Sequence, residues 1–205
     1  GGTVGGDPEC TLAAAIITTN LNGNPTLRDV INFDIPGSGV QTIQPAAHYG
    51  ITNSVLIDGY TQTGAAENTA VSPSPFNGRL MIEIDGTSLG AIDGIFNISA
   101  GDSTVIRGLV MNRSAREKVY VGTVDNVQLY GNYFGTDPTG MIAQPVASDD
   151  LPPIIIGQGS TAAHIGGVLP GQRNIVSGNT GGSIYVGGPA THPSGGFIQG
   201  NYVGV

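Results

Sequence analysis

Few residues in this sequence combine the types and spacing that chemistry demands. Asp149 and Asp150 are an adjacent pair of acids. Hydrolysis of a glycosidic bond needs two carboxylates flanking the linkage, so this pair is the candidate for a hydrolase. The same segment, Ser-Asp-Asp-Leu-Pro-Pro at 148–153, also has the composition of a loop whose acids make turns. Arg113, Arg116 and Lys118 form a basic cluster. In a lyase one such group would act as base and another would neutralise a uronate; in a scaffold they would pair with Glu117 and Asp125. Glu83 and Asp85 lie two apart in Met-Ile-Glu-Ile-Asp-Gly and share one strand face opposite Ile82 and Ile84. That face is either an acidic stripe for Ca2+ or a sugar, or an ordinary solvated surface. Ile57-Asp58-Gly59 repeats Ile84-Asp85-Gly86, which assigns both aspartates to turns that follow strands. Tyr133 and Tyr202 each follow a Gly-Asn pair and would align on one side of a repeating structure. Outward they would stack on sugar rings; inward they would fill a core. With Glu83 and Asp85 they are the candidate ligand-binding residues.

Metal and nucleophile chemistry find less support. His48, His164 and His192 are isolated from one another, so no metal site and no cofactor is expected apart from Ca2+ at the acidic stripe. The single cysteine, Cys10, excludes an internal disulfide framework and is expected to be a small buried residue.

The elements that would carry these residues are short. The 205 residues include 34 Gly and 13 Pro, yet 39% are hydrophobic, so the chain can bury a core. Seven basic and 15 acidic residues leave a net charge of −8, which suits neither nucleic acid nor an anionic membrane surface. No run of 18 apolar residues offers a membrane span. A helix is expected from Leu12 to Asn20, with Thr11 as N-cap and three alanines inside, and a second short helical turn from Thr26 to Val30. After that, apolar runs bounded by Gly, Asn, Asp and Pro read as eleven short strands.

A repeat decides how the strands associate. Gly108 and Gly131 are 23 residues apart, and Gly178 and Gly200 are 22 apart. A period of this size signals a solenoid. Gly131-Asn132, Gly178-Asn179 and Gly200-Asn201 are the expected corners, because both residue types tolerate positive φ, and stacked asparagines can hydrogen-bond as a ladder. About seven or eight coils of this length would fill the chain. The segments Tyr60–Gly78 and Thr136–Pro153 are expected to project as loops. The whole of 1–205 reads as one domain, with 1–25 as a cap segment and 26–205 as coils. Leu12, Ala15, Ile16 and Thr19 would turn toward the first coil.

Asp7-Pro-Glu-Cys-Thr-Leu-Ala-Ala-Ala-Ile16 resembles the Cys-Ser/Thr-Leu-Arg-Glu-Ala-Ile segment, known as CSLREA, of bacterial cell-surface proteins. Ile31-Asn-Phe-Asp-Ile-Pro-Gly37, Gly131-Asn-Tyr-Phe-Gly-Thr-Asp137 and Arg173-Asn-Ile-Val-Ser-Gly-Asn179 are similar to later segments of that family. Here Ala13-Ala14 replaces the family's Arg-Glu. The resemblance implies a right-handed parallel β-helix of the pectin-lyase-like kind behind a short capping helix, in an all-β, exported protein. The polygalacturonase-type signatures Asn-Thr-Asp, Gly-His-Gly and Arg-Ile-Lys are absent. The expected function is a non-catalytic cell-surface or extracellular structural module, a stalk, adhesin or filament subunit with weak glycan binding. The alternative is a polysaccharide lyase or glycoside hydrolase using Asp149, Asp150 or the Arg113–Lys118 cluster. The chain closes mid-repeat, so its last coil is expected either to continue into a longer protein or to self-associate.

Overall fold

The computed structural model describes residues 3–4, 7–8, 10–22, 27–71, 74–146, 151–188 and 192–204. One helix, α1 (Leu12–Leu21), precedes the coils. Thr11 caps it, its hydroxyl accepting from the Ala14 N–H at 3.1 Å. Leu12, Ile16 and Thr19 are its buried residues, three of the four expected to face inward; Ala15 packs beside them half-buried. Of the second helical turn expected from Thr26 to Val30, Thr26 lies outside the described residues, and Asp29 and Val30 belong to the strand Asp29–Asn32.

The rest of the described chain is mostly β structure in three parallel sheets of stacked strands. Sheet I contains Asp29–Asn32, Val55–Asp58, Val105–Arg107, Gln128–Tyr130, His164–Gly166 and Phe197–Gln199. Sheet II contains Gln41–Ile43, Ile82–Asp85, Leu109–Asn112, Tyr133–Phe134, Ile175–Val176 and Tyr202–Val203. Sheet III contains Tyr49–Ile51, Phe96–Ile98, Val119–Val121, Ile154–Ile156 and Ile184–Val186. The chain visits I, II and III in turn and then returns to I, so each visit to sheet I opens a new coil. Five coils contribute to all three sheets and a sixth contributes to the first two. This is fewer than the repeat length suggested, because the insertions between strands are long and unequal. A short antiparallel pair, Thr3–Val4 with Asp7–Pro8, stands before α1.

Register builds the core. In sheet I, Ile31, Ile57, Ile106, Leu129, Ile165 and Ile198 form one column. In sheet II, Ile43, Ile84, Met111, Phe134, Val176 and Val203 form another. Sheet III adds Ile51, Ile98, Val121, Ile156 and Val186. Because strand side chains alternate, these columns face one another inside the coil, and their middle members are fully buried.

The two ends differ. At the N-terminal end, α1 answers the edge of sheet III with side-chain amides. Asn20 donates to the Gly50 carbonyl at 2.8 Å and accepts from the Thr52 N–H at 2.9 Å, and Asn53 donates to the Thr19 carbonyl. At the other end Ile198, Val203 and Val186, the last members of the three inner columns, remain 49%, 46% and 48% exposed.

Candidate functional site

The outward column of sheet II is Thr42, Glu83, Val110, Tyr133, Ile175 and Tyr202. The described residues between Tyr60 and Leu80 do not project; they fold back along this column as a strap. Its apolar residues are the reason. Leu80, Val110, Tyr133 and Ile175 form a second buried core with Tyr60, Phe76 and Tyr202 packed against it. The Phe76 ring meets Tyr133 and Tyr202 edge-on, at 5.5 and 5.9 Å. Tyr60 donates its hydroxyl to the Gly131 carbonyl at 2.9 Å, Tyr133 donates to the Gly78 carbonyl at 3.2 Å, and Asn68 donates to the Pro170 carbonyl at 3.0 Å. Burial pushes the Tyr60 and Tyr133 phenols well above their ordinary range. Tyr133 is therefore covered and Tyr202 half-covered, and neither presents an open ring face as part of a shared platform.

The acids beside this strap are committed to arginines on the next coil. Asp58 caps the turn Gly59–Thr61 by accepting from the Tyr60 N–H. Its other oxygen lies 2.6 Å from Arg107 Nη2. Arg107 also reaches Glu67 of the strap at 3.3 Å and lies 5.9 Å from the ring centres of Tyr60 and Tyr130. Burial alone would lower the Arg107 pKa, but the hydrogen bond and charge of Asp58 outweigh it and raise it.

Glu83 and Asp85 do share a face, but they are buried rather than solvated. Arg113 Nη1 lies 2.8 Å from Asp85 and 3.7 Å from Glu83, while its Nε and Nη2 donate to Gln144. Glu83 also accepts from Thr42 and Asn112. Burial alone would raise the Asp85 pKa, but donation from the Thr87 hydroxyl and N–H, from Gln44 and from Arg113 holds it below the ordinary carboxylate range. Both carboxylates of the acidic stripe thus pair with Arg113.

The basic cluster is divided among different surroundings. Arg116 lies 3.3 Å from Glu117, whereas buried Lys118 donates to the Ser114 carbonyl at 3.2 Å. Asp125 accepts from the Thr161 hydroxyl rather than from this cluster. Asp149 and Asp150 lie outside the described residues.

The corner between sheets I and II carries the asparagine ladder, with one change of membership. Asn132 Oδ1 accepts from the Leu109 N–H. Asn174 Oδ1 accepts from the Asn132 N–H at 2.9 Å, and Asn201 Oδ1 accepts from Asn174 Nδ2 at 2.8 Å. Gly131 and Gly200 sit at this corner with φ of 66° and 71°. Gly178 and Asn179 belong to the following corner, where Asn179 donates to the Phe134 carbonyl. The signal for the true member is the string Asn-apolar-apolar, shared by Asn132-Tyr-Phe, Asn174-Ile-Val and Asn201-Tyr-Val. The glycine spacing hides it.

Other candidates are dispersed. His48 Nδ1 lies 3.1 Å from Asp93, and His164 stacks on Phe197 at 4.1 Å. Among the described residues, no group of three or more His, Cys, Asp or Glu could hold a metal, and no helix is long and apolar enough to cross a membrane. Cys10 is exposed rather than buried, because it lies just outside the first turn of α1. It borders a cleft of about 1390 Å³ between α1 and the first coil, lined by Leu12, Ala15, Ile31, Phe33 and Ile43. No family model, curated protein or solved structure matches this chain.

Proposed function

We propose that this chain is a non-catalytic structural module of an exported cell-surface or extracellular protein, a stalk, adhesin or filament subunit of the kind its CSLREA-like segment suggests. We take its coils to wind as a right-handed parallel β-helix, the hand favoured for crossovers between parallel strands. The observation that carries this reading is cross-linking along the rod axis. Asp58–Arg107 and Asp85–Arg113 tie the second coil to the third. Tyr60 and Asn68 tie the second coil to the fourth and fifth. Asn132, Asn174 and Asn201 tie the fourth, fifth and sixth together. Asp58, Asp85, Arg107 and Arg113, charged groups of the kind a saccharide-cleaving enzyme would aim at substrate, are here used to join coils.

The competing enzyme reading rests on Asp149 and Asp150. Incubation with pectin, alginate and neutral polysaccharides is expected to give no depolymerisation. Cleavage that disappears in D150A would overturn the scaffold reading. Fractionation of native cells is expected to place the protein at the envelope or in the medium.

A further inference from the structure

We infer that the outer face of sheet III binds an uncharged, extended, β-linked saccharide chain laid parallel to the rod axis. This deepens the adhesin form of the scaffold reading and rests on it. Strand register places Gly50, Asn97, Tyr120, Ile155 and Tyr185 in one outward row. No Asp, Glu, Lys or Arg interrupts it. The outer face of sheet II lies under the strap, and that of sheet I carries the Asp58–Arg107 pair. On sheet III, Tyr185 is 49% exposed, and Tyr120 and Ile155 are half-buried.

The way the two rings lie selects the occupant. A Cβ placed on Gly157 would meet the Tyr120 hydroxyl oxygen at 2.8 Å, and one on Gly122 would meet the Cε1 of that ring at 3.5 Å. A Cβ on Gly187 would meet the Tyr185 hydroxyl oxygen and Cζ at 3.0 and 3.1 Å. Glycines thus leave seats in which both phenols lie down along their strands, leaning the same way, instead of standing off the sheet. One strand separates them, so the rings repeat at two strand spacings, about 9.6 Å. That is close to the length of one disaccharide unit in an extended β-linked chain. Alternate sugar rings would stack their apolar faces on Tyr120 and Tyr185, with Ile155 beneath the ring between them. Thr123 and Gln158 lie exposed just beyond the glycine seats, where the equatorial hydroxyls of such a chain would reach. The backbone groups of sheet III are spent in pairing coil to coil, so this face offers a peptide no strand edge. The net charge of −8 disfavours acidic saccharides.

Isothermal titration with cellohexaose and with chitohexaose, both uncharged and β-linked, is expected to show binding of at least one. Y185A is expected to weaken that binding about three- to tenfold while keeping the wild-type circular dichroism melt. G187V keeps the ring but fills its seat, and a similar loss is expected; Y120F, which keeps both ring and seat, is expected to bind as wild type does. No binding of either hexasaccharide, equal binding of maltohexaose, whose α-linked chain coils, or wild-type affinity in both Y185A and G187V would each overturn the inference. Those outcomes leave the scaffold reading standing, because polysaccharide incubation and cell fractionation test it separately. Cleavage of a bound hexasaccharide would instead count against the scaffold reading alone.

Discussion

Asn174 shows how much one amide holds together. Its Nδ2 donates to the Leu129 carbonyl and to Asn201, and its Oδ1 accepts from the Asn132 N–H. N174A leaves buried backbone groups without partners, each costing about 1–3 kcal/mol, so a loss of about 2–4 kcal/mol is expected in urea unfolding at unchanged slope. Arg113 makes the electrostatic counterpart. Removing it in R113A strands Glu83 and Asp85, which are buried, although Arg113 itself is about one-third exposed. A loss of about 1–3 kcal/mol is expected at neutral pH. Asp85 has a lowered pKa in the folded state, so its contribution is full above the ordinary aspartate value of 3.8 and is lost as pH falls through the lower folded value. The gap between wild type and R113A should therefore narrow in acid, measurable by thermal melts across that range; a gap independent of pH would contradict the pairing. The turn role of Asp58 and Asp85 was legible because the Ile-Asp-Gly string repeats. Their arginine partners were not, since Arg107 and Arg113 lie 49 and 28 residues away and only strand register brings them alongside.

At the scale of elements, α1 was readable from a capping threonine and a run of strong helix formers, and the structure extends it by one residue to Leu21. The strap was not readable. It has no hydrophobic period, and its Pro, Ser and Thr content resembles a projecting loop until Phe76 and Leu80 find the outer face of sheet II. That packing is testable. Phe76 is half-buried between two tyrosines, so F76A is expected to cost about 2–3 kcal/mol, toward the low side of large-to-small core losses. Hydrogen exchange should rise at Val110, Tyr133 and Ile175 beneath it and leave sheet III unchanged. The same exchange pattern in both sheets would show that the strap is not an independent cover. G108A tests the corner in the same way. Gly108 has φ of 72°, and an added Cβ would meet Tyr60 at 2.8 Å, so strain and the displaced strap should together cost more than 1 kcal/mol.

For the whole molecule, the stacked-coil character was legible because Gly-Asn strings mark corners, while the number of coils was not. The first-sheet strands begin at residues 29, 55, 105, 128, 164 and 197, and only one of those intervals matches the repeat. Insertions into turns change the sequence period without changing the register of the strands, so spacing in the chain is a poor ruler for height along the rod. Stability should follow height instead. Amide protection is expected to peak in the third and fourth coils, where Ile106, Leu109, Val121 and Leu129 are fully buried, and to fall toward the sixth coil. α1 has a further consequence, because it precedes every described coil. A nascent polypeptide emerging from a ribosome would complete this lid before the described coils are wound, and each of those turns would then be laid onto a finished template. Assembly would advance in the order of synthesis, leaving only the growing tip exposed at any moment.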